Sequence, residues 1–257
     1  MNVTDKSYLE IQARRLLYLH SMKGPFVDQL FNHFYDQFID YNELFYDWIK
    51  DFITKDSIML EIGAGRGKRH PYNFADIANK VIGVDMDPRV IDNPNLNEAL
   101  CIDFFDNDFD DASFDIIFAN SVVEHIKDPI RLLTEIKRLL KPDGFFFFKT
   151  PNLLHYAMII AKFTPSWFHK LYCSLSGRES EDTFPTYYQM NSEKKIDKLS
   201  KLLKFNYKLR TFECQPDYLF LDPITFLMGV GYERMVNKYE NLNKFRILLM
   251  VKLEFIR

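Results

Sequence analysis

Glycine is scarce in this chain, at 9 of 257 residues, and cysteine scarcer, at 3. Cys101, Cys173 and Cys214 are far apart, odd in number and without any C-x-x-C spacing. That excludes a disulfide framework and a cysteine zinc site, and a reducing, cytoplasmic setting fits. No apolar run reaches the roughly 18 residues of a membrane span. The N-terminus, MNVTDKSYLEIQARRLLYLH, carries charges throughout and lacks the apolar centre of a signal peptide. Charge of one sign is also missing: 33 Lys and Arg against 36 Asp and Glu leave a formal charge of -3. A surface built wholly for nucleic acid is therefore not expected. No His, Cys or acid cluster has metal-ligand spacing, so no metal is expected.

What the chain does have is aromatic bulk, with 25 Phe and 14 Tyr. At 47% hydrophobic and 27% charged residues it reads as a globular protein with a sizeable core. Residues 7–20 read as a helix that Gly24-Pro25 breaks. Residues 26–52 read as a second helical stretch, with aromatic residues mostly three or four apart from Phe31 to Phe52. These rings suit core packing; the other reading is that one or two close over a ligand. Apolar runs then alternate with crossover segments. Strands are expected at 57–62, 80–85, 98–102, 114–120 and 145–150, with a helix at 128–140 stopped by Lys141-Pro142-Asp143-Gly144. Two later strands, 206–213 and 245–255, lack crossover spacing and suit an antiparallel edge. The expected fold is α/β: a Rossmann-like, doubly wound, seven-stranded sheet, mostly parallel. One domain, 1–257, is expected. It comprises N-terminal helices (1–54), a ligand-binding core (55–152), a lid insertion (153–191) and C-terminal strands (192–257) interrupted by a second insertion at 214–244.

Three of the few glycines, Gly63, Gly65 and Gly67, fall within five residues, directly after the first strand. Such clustering points to backbone that a side chain would forbid and to a ligand approaching the turn closely. Asp85 ends the second strand, 22 residues after Gly63, where an acid can accept from both hydroxyls of a ribose. A tight structural turn and a cap on the segment beginning at Pro88 are the plainer alternatives. The spacing is G-x-G-x-G, with Lys68 where a dinucleotide fingerprint has its third glycine.

Four ordered motifs carry a resemblance: LEIGAGRG (60–67), VIGVDMDP (81–88), CIDFFDNDFDDASFDIIFANSVVEHIKDP (101–129) and LLKPDGFFFFKTPN (139–152). Together they resemble the class I S-adenosylmethionine-dependent methyltransferases, in the broad small-molecule group. The resemblance covers about residues 55–152. It implies S-adenosyl-L-methionine as cofactor and S-adenosyl-L-homocysteine as product. It implies that Glu61 and the loop Gly63, Ala64, Gly65 and Gly67 cradle the methionine part. Asp85 is expected at the ribose, Met86 beside the adenine, Asp103 at the adenine amino group with Phe104 near it, and Asn120 and Ser121 at the methionine end.

Methyl transfer needs an acceptor held in line, and a hydroxyl acceptor benefits from a base. His155 and His125 are the catalytic candidates, with His70 a weaker one; cofactor positioning is the alternative for His125, helix packing for His155. Tyr156, Trp167, Tyr187 and Tyr188 are candidates for the acceptor side. The segment 153–177 has no acidic residue and reads as a lid, or else as an interfacial face reaching a lipid-linked substrate at the inner face of the membrane. The expected activity is methylation, at oxygen, of a small-molecule, sugar or lipid-linked acceptor. A nicotinamide-dependent oxidoreductase and a non-catalytic cofactor-binding scaffold are the rival readings. Protein or nucleic-acid methylation is disfavoured by the near-neutral charge and by Asn120-Ser121-Val122-Val123 standing where base-amino methylases carry a Pro-Pro-Tyr motif.

Overall fold

The computed structural model describes residues 25–67, 73–163, 185–219 and 221–255. The expected helix at 7–20, His70, Trp167 and most of the segment 153–191 lie outside the described residues. The chain forms two compact units interleaved in sequence. One unit draws on Tyr41–Pro151, Thr186–Arg210 and Leu248–Arg257; the other on Met1–Asp40, Asn152–Pro185 and Thr211–Ile247. The second insertion and the first as far as Pro185 thus fall in one unit, with the first described helix, while 186–191 of the first insertion belong to the sheet-bearing unit. The 26–52 stretch is not one helix. It breaks between α1 (Pro25–Phe34) and α2 (Tyr41–Lys50), and the two halves belong to different units.

The first unit is organised by a seven-stranded sheet in the order β3-β2-β1-β4-β5-β7-β6. The strands are β1 (Ile58–Ile62), β2 (Lys80–Asp85), β3 (Glu98–Cys101), β4 (Phe114–Asn120), β5 (Leu140–Pro151), β6 (Phe205–Phe212) and β7 (Leu248–Phe255). The first five are parallel, and β7 lies antiparallel to β5. The order reverses between β1 and β4, which makes that point the switch of the sheet. Helices α3 (Pro129–Leu139) and α5 (Glu193–Leu203) complete this unit, while α4 (Tyr156–Phe163) and α6 (Pro223–Lys238) belong to the other.

The four consecutive phenylalanines of β5 show why both faces of the sheet are covered. Alternate side chains point to opposite faces. Phe146 and Phe148 pack with Leu132, Leu133 and Ile136 of α3. Phe147 and Phe145 turn the other way, where Trp48 of α2 meets Phe147 at 5.4 Å and Phe52 meets Phe145 at 5.0 Å. Farther along that face Tyr46 of α2 packs on Phe74 and Phe118. Helix α3 starts where Asp128 accepts from Ile130 and Arg131 N–H with Pro129 in the first turn, an N-cap that the sequence pattern carries.

The connections between the first four strands differ from the expected helical crossovers. Their described parts carry only short 3-10 turns, at Phe74–Asp76, Pro88–Asp92 and Phe104–Asp106. Each begins with an Asx residue: Asn73, Asp87 and Asp103 accept from the N–H two residues on. Such local bonds favour a turn over a propagating helix. The turn at Pro88 is capped by Asp87, not by Asp85. Strand β7 begins at Leu248, because 240–245 coil into another 3-10 turn.

In the other unit α1 packs on α6 through Val27, Phe31, Phe226 and Val230. Gly229 lets Pro216 approach: a Cβ there would fall 2.4 Å from Pro216 Cβ, whereas one on Gly231 would meet nothing within 4 Å among the described residues. Tyr35 donates to Glu233 at 3.1 Å, and burial raises the Tyr35 phenol well above its ordinary value, with Glu233 adding to the shift.

The acidic stretch 103–115 is tied down at two points. Asp115 accepts from Ile58 N–H and from Lys141. Arg138 of α3 donates to Asp111, Phe109 carbonyl, Asn107 and Glu135. Arg138→Ala should lower stability by about 1–2 kcal/mol, the modest end because the guanidinium is partly exposed. The hydrogen bond from Arg138 holds the Glu135 carboxyl below its ordinary 4.5. A depressed carboxyl stabilises the fold above its ordinary value and loses that contribution as pH falls through the lowered one. The gap in melting temperature between the parent and Arg138→Ala should therefore narrow as pH drops below 4.5, as thermal denaturation across a pH series would show.

Candidate functional site

The carboxyl ends of β1, β2 and β4 gather most of the expected cofactor residues in the sheet-bearing unit. The glycine turn after β1 has positive φ at all three glycines: 71° at Gly63, 51° at Gly65 and 71° at Gly67. Side chains rarely tolerate that region. At Gly63 a Cβ would also fall 2.3 Å from Val122 Cγ2. At Gly65, among the described residues, a Cβ would meet one atom within 4 Å, Asp85 Oδ2 at 3.9 Å.

Asp85 braces this turn. Its Oδ2 accepts from Gly65 N–H at 2.8 Å and its Oδ1 from Asp87 N–H at 2.8 Å. Gly63 N–H donates to Val84 carbonyl, which fastens the turn to β2. Two residues not singled out in the sequence hold its other side. Asn93 donates to the Ala64 and Gly65 carbonyls, and Asn95 to the Gly67 carbonyl. Their only sequence signal is an Asn-rich stretch after β2, which reads equally as an ordinary loop. Met86 is exposed beyond β2, and Asp103, beyond β3, is exposed and caps the Phe105 N–H while Phe104 is buried.

A chain of polar side chains crosses the ends of β1, β4 and β5 beneath α2. Tyr46 donates to Glu61 Oε1 at 3.3 Å. Asn120 Nδ2 donates to Asn42 Oδ1 at 3.0 Å and lies 3.4 Å from the Tyr46 hydroxyl. Lys149 Nζ donates to the same Asn42 oxygen at 2.5 Å. Glu61 and Lys149 are only 2% and 5% exposed. Ser121 follows with φ 59°, its N–H donating to Lys149 carbonyl and its hydroxyl to Asn120. Sequence reasoning found Glu61, Asn120 and Ser121 but missed Asn42, Tyr46 and Lys149. A lysine closing a run of phenylalanines was the one available signal.

A second buried group lies close by. Glu124 accepts from Thr150, which in turn accepts from Asn191. Burial raises the Glu124 carboxyl above its ordinary value, against the lowering pull of His125 and Lys149. The Glu124 carbonyl accepts from the N–H groups of Tyr187 and Tyr188, which brings these two acceptor candidates beside the turn after β4. Tyr187 is exposed and Tyr188 has φ 52°. His125, half-buried, closes that turn.

His155 and Tyr156 belong to the other unit. The His155 side chain is 0% exposed. Its Nδ1 accepts from Ala157 N–H at 3.2 Å at the start of α4, and its Nε2 lies 3.3 Å from Glu213. Tyr156 and Tyr232 enclose the ring. Both imidazole nitrogens are thus turned inward, and no imidazole atom is offered to solvent in this arrangement. Trp167, the remaining acceptor candidate, lies outside the described residues.

A family model described as "Methyltransferase domain" matches residues 60–148. A probable S-adenosylmethionine-dependent methyltransferase of Mycolicibacterium smegmatis is 33% identical over 111 residues, 38% of this chain and 40% of that one. A ubiquinone biosynthesis O-methyltransferase of Cereibacter sphaeroides is 31% identical over 124 residues, 44% of this chain and 50% of that one. The matched region thus spans half or less of these curated relatives. The fold is shared with phosphoethanolamine N-methyltransferase 2 of Haemonchus contortus, solved with S-adenosyl-L-methionine, at TM-score 0.54 and 17% identity over 84% of this chain and 53% of that one. The matched span begins one residue before Glu61, ends one residue before Lys149, and contains the glycine turn, Asp85, Asp103 and Asn120. Residues 60–148 thus match the methyltransferase-domain family, and these similarities support a class I S-adenosylmethionine-dependent methyltransferase.

Proposed function

We propose that this protein transfers the methyl group of S-adenosyl-L-methionine to a hydroxyl oxygen of a small-molecule acceptor. The observation that carries the reading is the glycine turn braced on Asp85, with positive φ at all three glycines and a buried acid, Glu61, near the end of the preceding strand. These residues fit the cofactor's chemistry. Acids suit its ribose hydroxyls and its ammonium, and an apolar surface suits its adenine. Asp85 would hold the ribose, Met86 and Phe104 would flank the adenine and Asp103 would meet its amino group. Glu61, the loop 63–67, Asn120 and Ser121 would line the methionine end. When bound, the cofactor supplies a methyl group activated on a sulfonium sulfur. The chain's own task is to hold the acceptor in line with it.

Tyr187 and Tyr188, tied to the Glu124 carbonyl, would form the acceptor side, and His125 beside them is the candidate to take the hydroxyl proton. Oxygen as the accepting atom is supported by the ubiquinone biosynthesis O-methyltransferases among the relatives.

Calorimetric titration tests the reading against its nicotinamide rival. S-adenosylhomocysteine should bind and NAD should not; selective NAD binding would overturn the assignment. A labelled-methyl assay on pooled metabolites, read by mass spectrometry, would then identify the acceptor.

Asp85→Ala should weaken S-adenosylhomocysteine binding at least about ten-fold, the loss of charged hydrogen bonds to the ribose. Because Asp85 also braces the turn, the same change should cost about 1–3 kcal/mol of stability. Titration and thermal melting of one preparation would separate the two effects, and unchanged affinity would contradict the ribose role.

A further inference from the structure

We propose that the outward face of α5, with the lysine that ends the helix, docks on an anionic lipid surface. This surface belongs to the sheet-bearing unit, and the docking does not depend on the cofactor reading above.

Residues 193–210 hold seven Lys and Arg against two acids, Glu193 and Asp197, in a chain whose formal charge is -3. The helix sorts them. Ile196 and Leu199 are buried in the main core, and Ser200 is buried beside them. Lys194, Lys198 and Lys201 recur at steps of four and three, so they share the opposite face, and all three are exposed. Leu202 stands next to them, 59% exposed. Lys201 pairs with Asp197 at 2.7 Å, yet its side chain remains 76% exposed. Lys195 is set apart, its Nζ donating to the Tyr188 carbonyl. From Lys194 to Lys201 the helix rises about 10 Å, which is about one Debye length at 0.1 M salt, so these charges act together on a nearby surface.

Local stability does not account for the lysines. The start of a helix disfavours cations, yet Lys194 stands in the first turn, where Ser192 supplies no side-chain cap. The residue that ends α5 is left-handed, with φ 59°, a position that glycine or asparagine ordinarily takes. Here it is Lys204, and it is exposed. Like charges four apart on one helix face also repel, as Lys194 and Lys198 do. A face kept basic against these three costs finds its counter-charge outside the chain.

The make-up of the face favours lipid over nucleic acid. Single-stranded nucleic acid is held by exposed aromatic rings and by arginine forks as well as by charge. The arginine of the segment, Arg210, lies over Trp48 at 4.3 Å, and Tyr207 is half-buried. The α5 face offers ammonium groups and a leucine. Lysine stems lie along an interface with their heads at the phosphates, while the leucine enters the acyl boundary. Helix α5 follows directly on the segment that holds Tyr187 and Tyr188, so a membrane held here borders the proposed acceptor side.

Vesicle flotation of the full chain tests the docking. The protein should float with phosphatidylcholine vesicles containing roughly 30% phosphatidylglycerol at about 0.1 M salt, stay behind with phosphatidylcholine alone, and be released at about 1 M salt. Each lysine is worth about five-fold in partitioning. Lys194→Gln combined with Lys198→Gln should therefore lower it about ten- to thirty-fold, and Lys204→Gln about five-fold. Lys198→Arg, which keeps the charge, should stay within about two-fold of the parent. Lys208→Gln is the control: Tyr207 and Leu209 pack on the core that α5 covers, so the exposed Lys208 between them points to the other face of β6. It should also stay within about two-fold. All these side chains are exposed, so each variant should melt as the parent does. A parent that floats with neither vesicle overturns the proposal. So does unchanged flotation of the double variant, which places the contact elsewhere, or an equal loss in Lys208→Gln, which marks an effect of net charge alone. Labelled single-stranded RNA that binds through Lys194 and Lys198 while the vesicles stay bare would assign the face to nucleic acid instead.

Discussion

Strands buried on both faces have room for polar side chains only near their ends, and the chemistry of this protein follows from that constraint. In β1, Met59 and Leu60 are sealed inside before Glu61; in β4, Ile116 to Ala119 precede Asn120; in β5, Phe146 to Phe148 precede Lys149. Each strand runs apolar through the core and turns polar at its carboxyl end. Because the three are parallel and adjacent, their polar ends come out side by side at the switch point of the sheet. Helix α2 then covers them with Trp48, Ile49 and Phe45 buried and with Tyr46 and Asn42 available to bond with the strand ends.

The glycine turn depends on the same arrangement. Its backbone is held in a conformation that side chains resist, and it is kept there by bonds from three sides: Val84 carbonyl, the Asp85 carboxylate, and the Asn93 and Asn95 amides. Asp85 is consequently both a proposed ligand for the ribose and a structural brace. Each carboxylate oxygen has two lone pairs, so one backbone bond apiece leaves acceptor capacity. A site preorganised in this way does not have to order its loop when a ligand arrives.

The second unit uses similar polar groups differently. Asn152 donates to the carbonyls of Lys244 and Arg246, Tyr232 to that of Phe245, and Glu213 accepts from Ile247 N–H. His155 sits in the middle of this network. Burial, with the nearby Glu213 carboxylate, raises the Tyr232 phenol above its ordinary value. All of these groups fasten the segments that flank the two insertions. The local sequence Pro151-Asn152-Leu153-Leu154-His155 cannot distinguish such a fastening from an active-site histidine. Only burial does.

Much of the architecture was readable from the chain. Short apolar runs, the first ending at the glycine cluster and the second in an acid, located β1, β2 and β4 closely, and the Lys-Pro-Asp-Gly stop placed the end of α3. The glycine turn and the strand end at Asp85 were legible because turn chemistry and strand ends are local properties, whereas Asp103 and Asn120 were named through the resemblance. The break at 35–40 was not, since the aromatic spacing continues across it while the helix does not. Nor were the short 3-10 connections, where Asx bonds outweigh apolar periodicity. What the tertiary structure alone decided is which distant side chains meet. Asn42, Asn120 and Lys149 are separated by up to 107 residues and converge only because α2 lies over the ends of β4 and β5. Burial and strand order are collective properties of the packed sheet, so no local pattern could carry them.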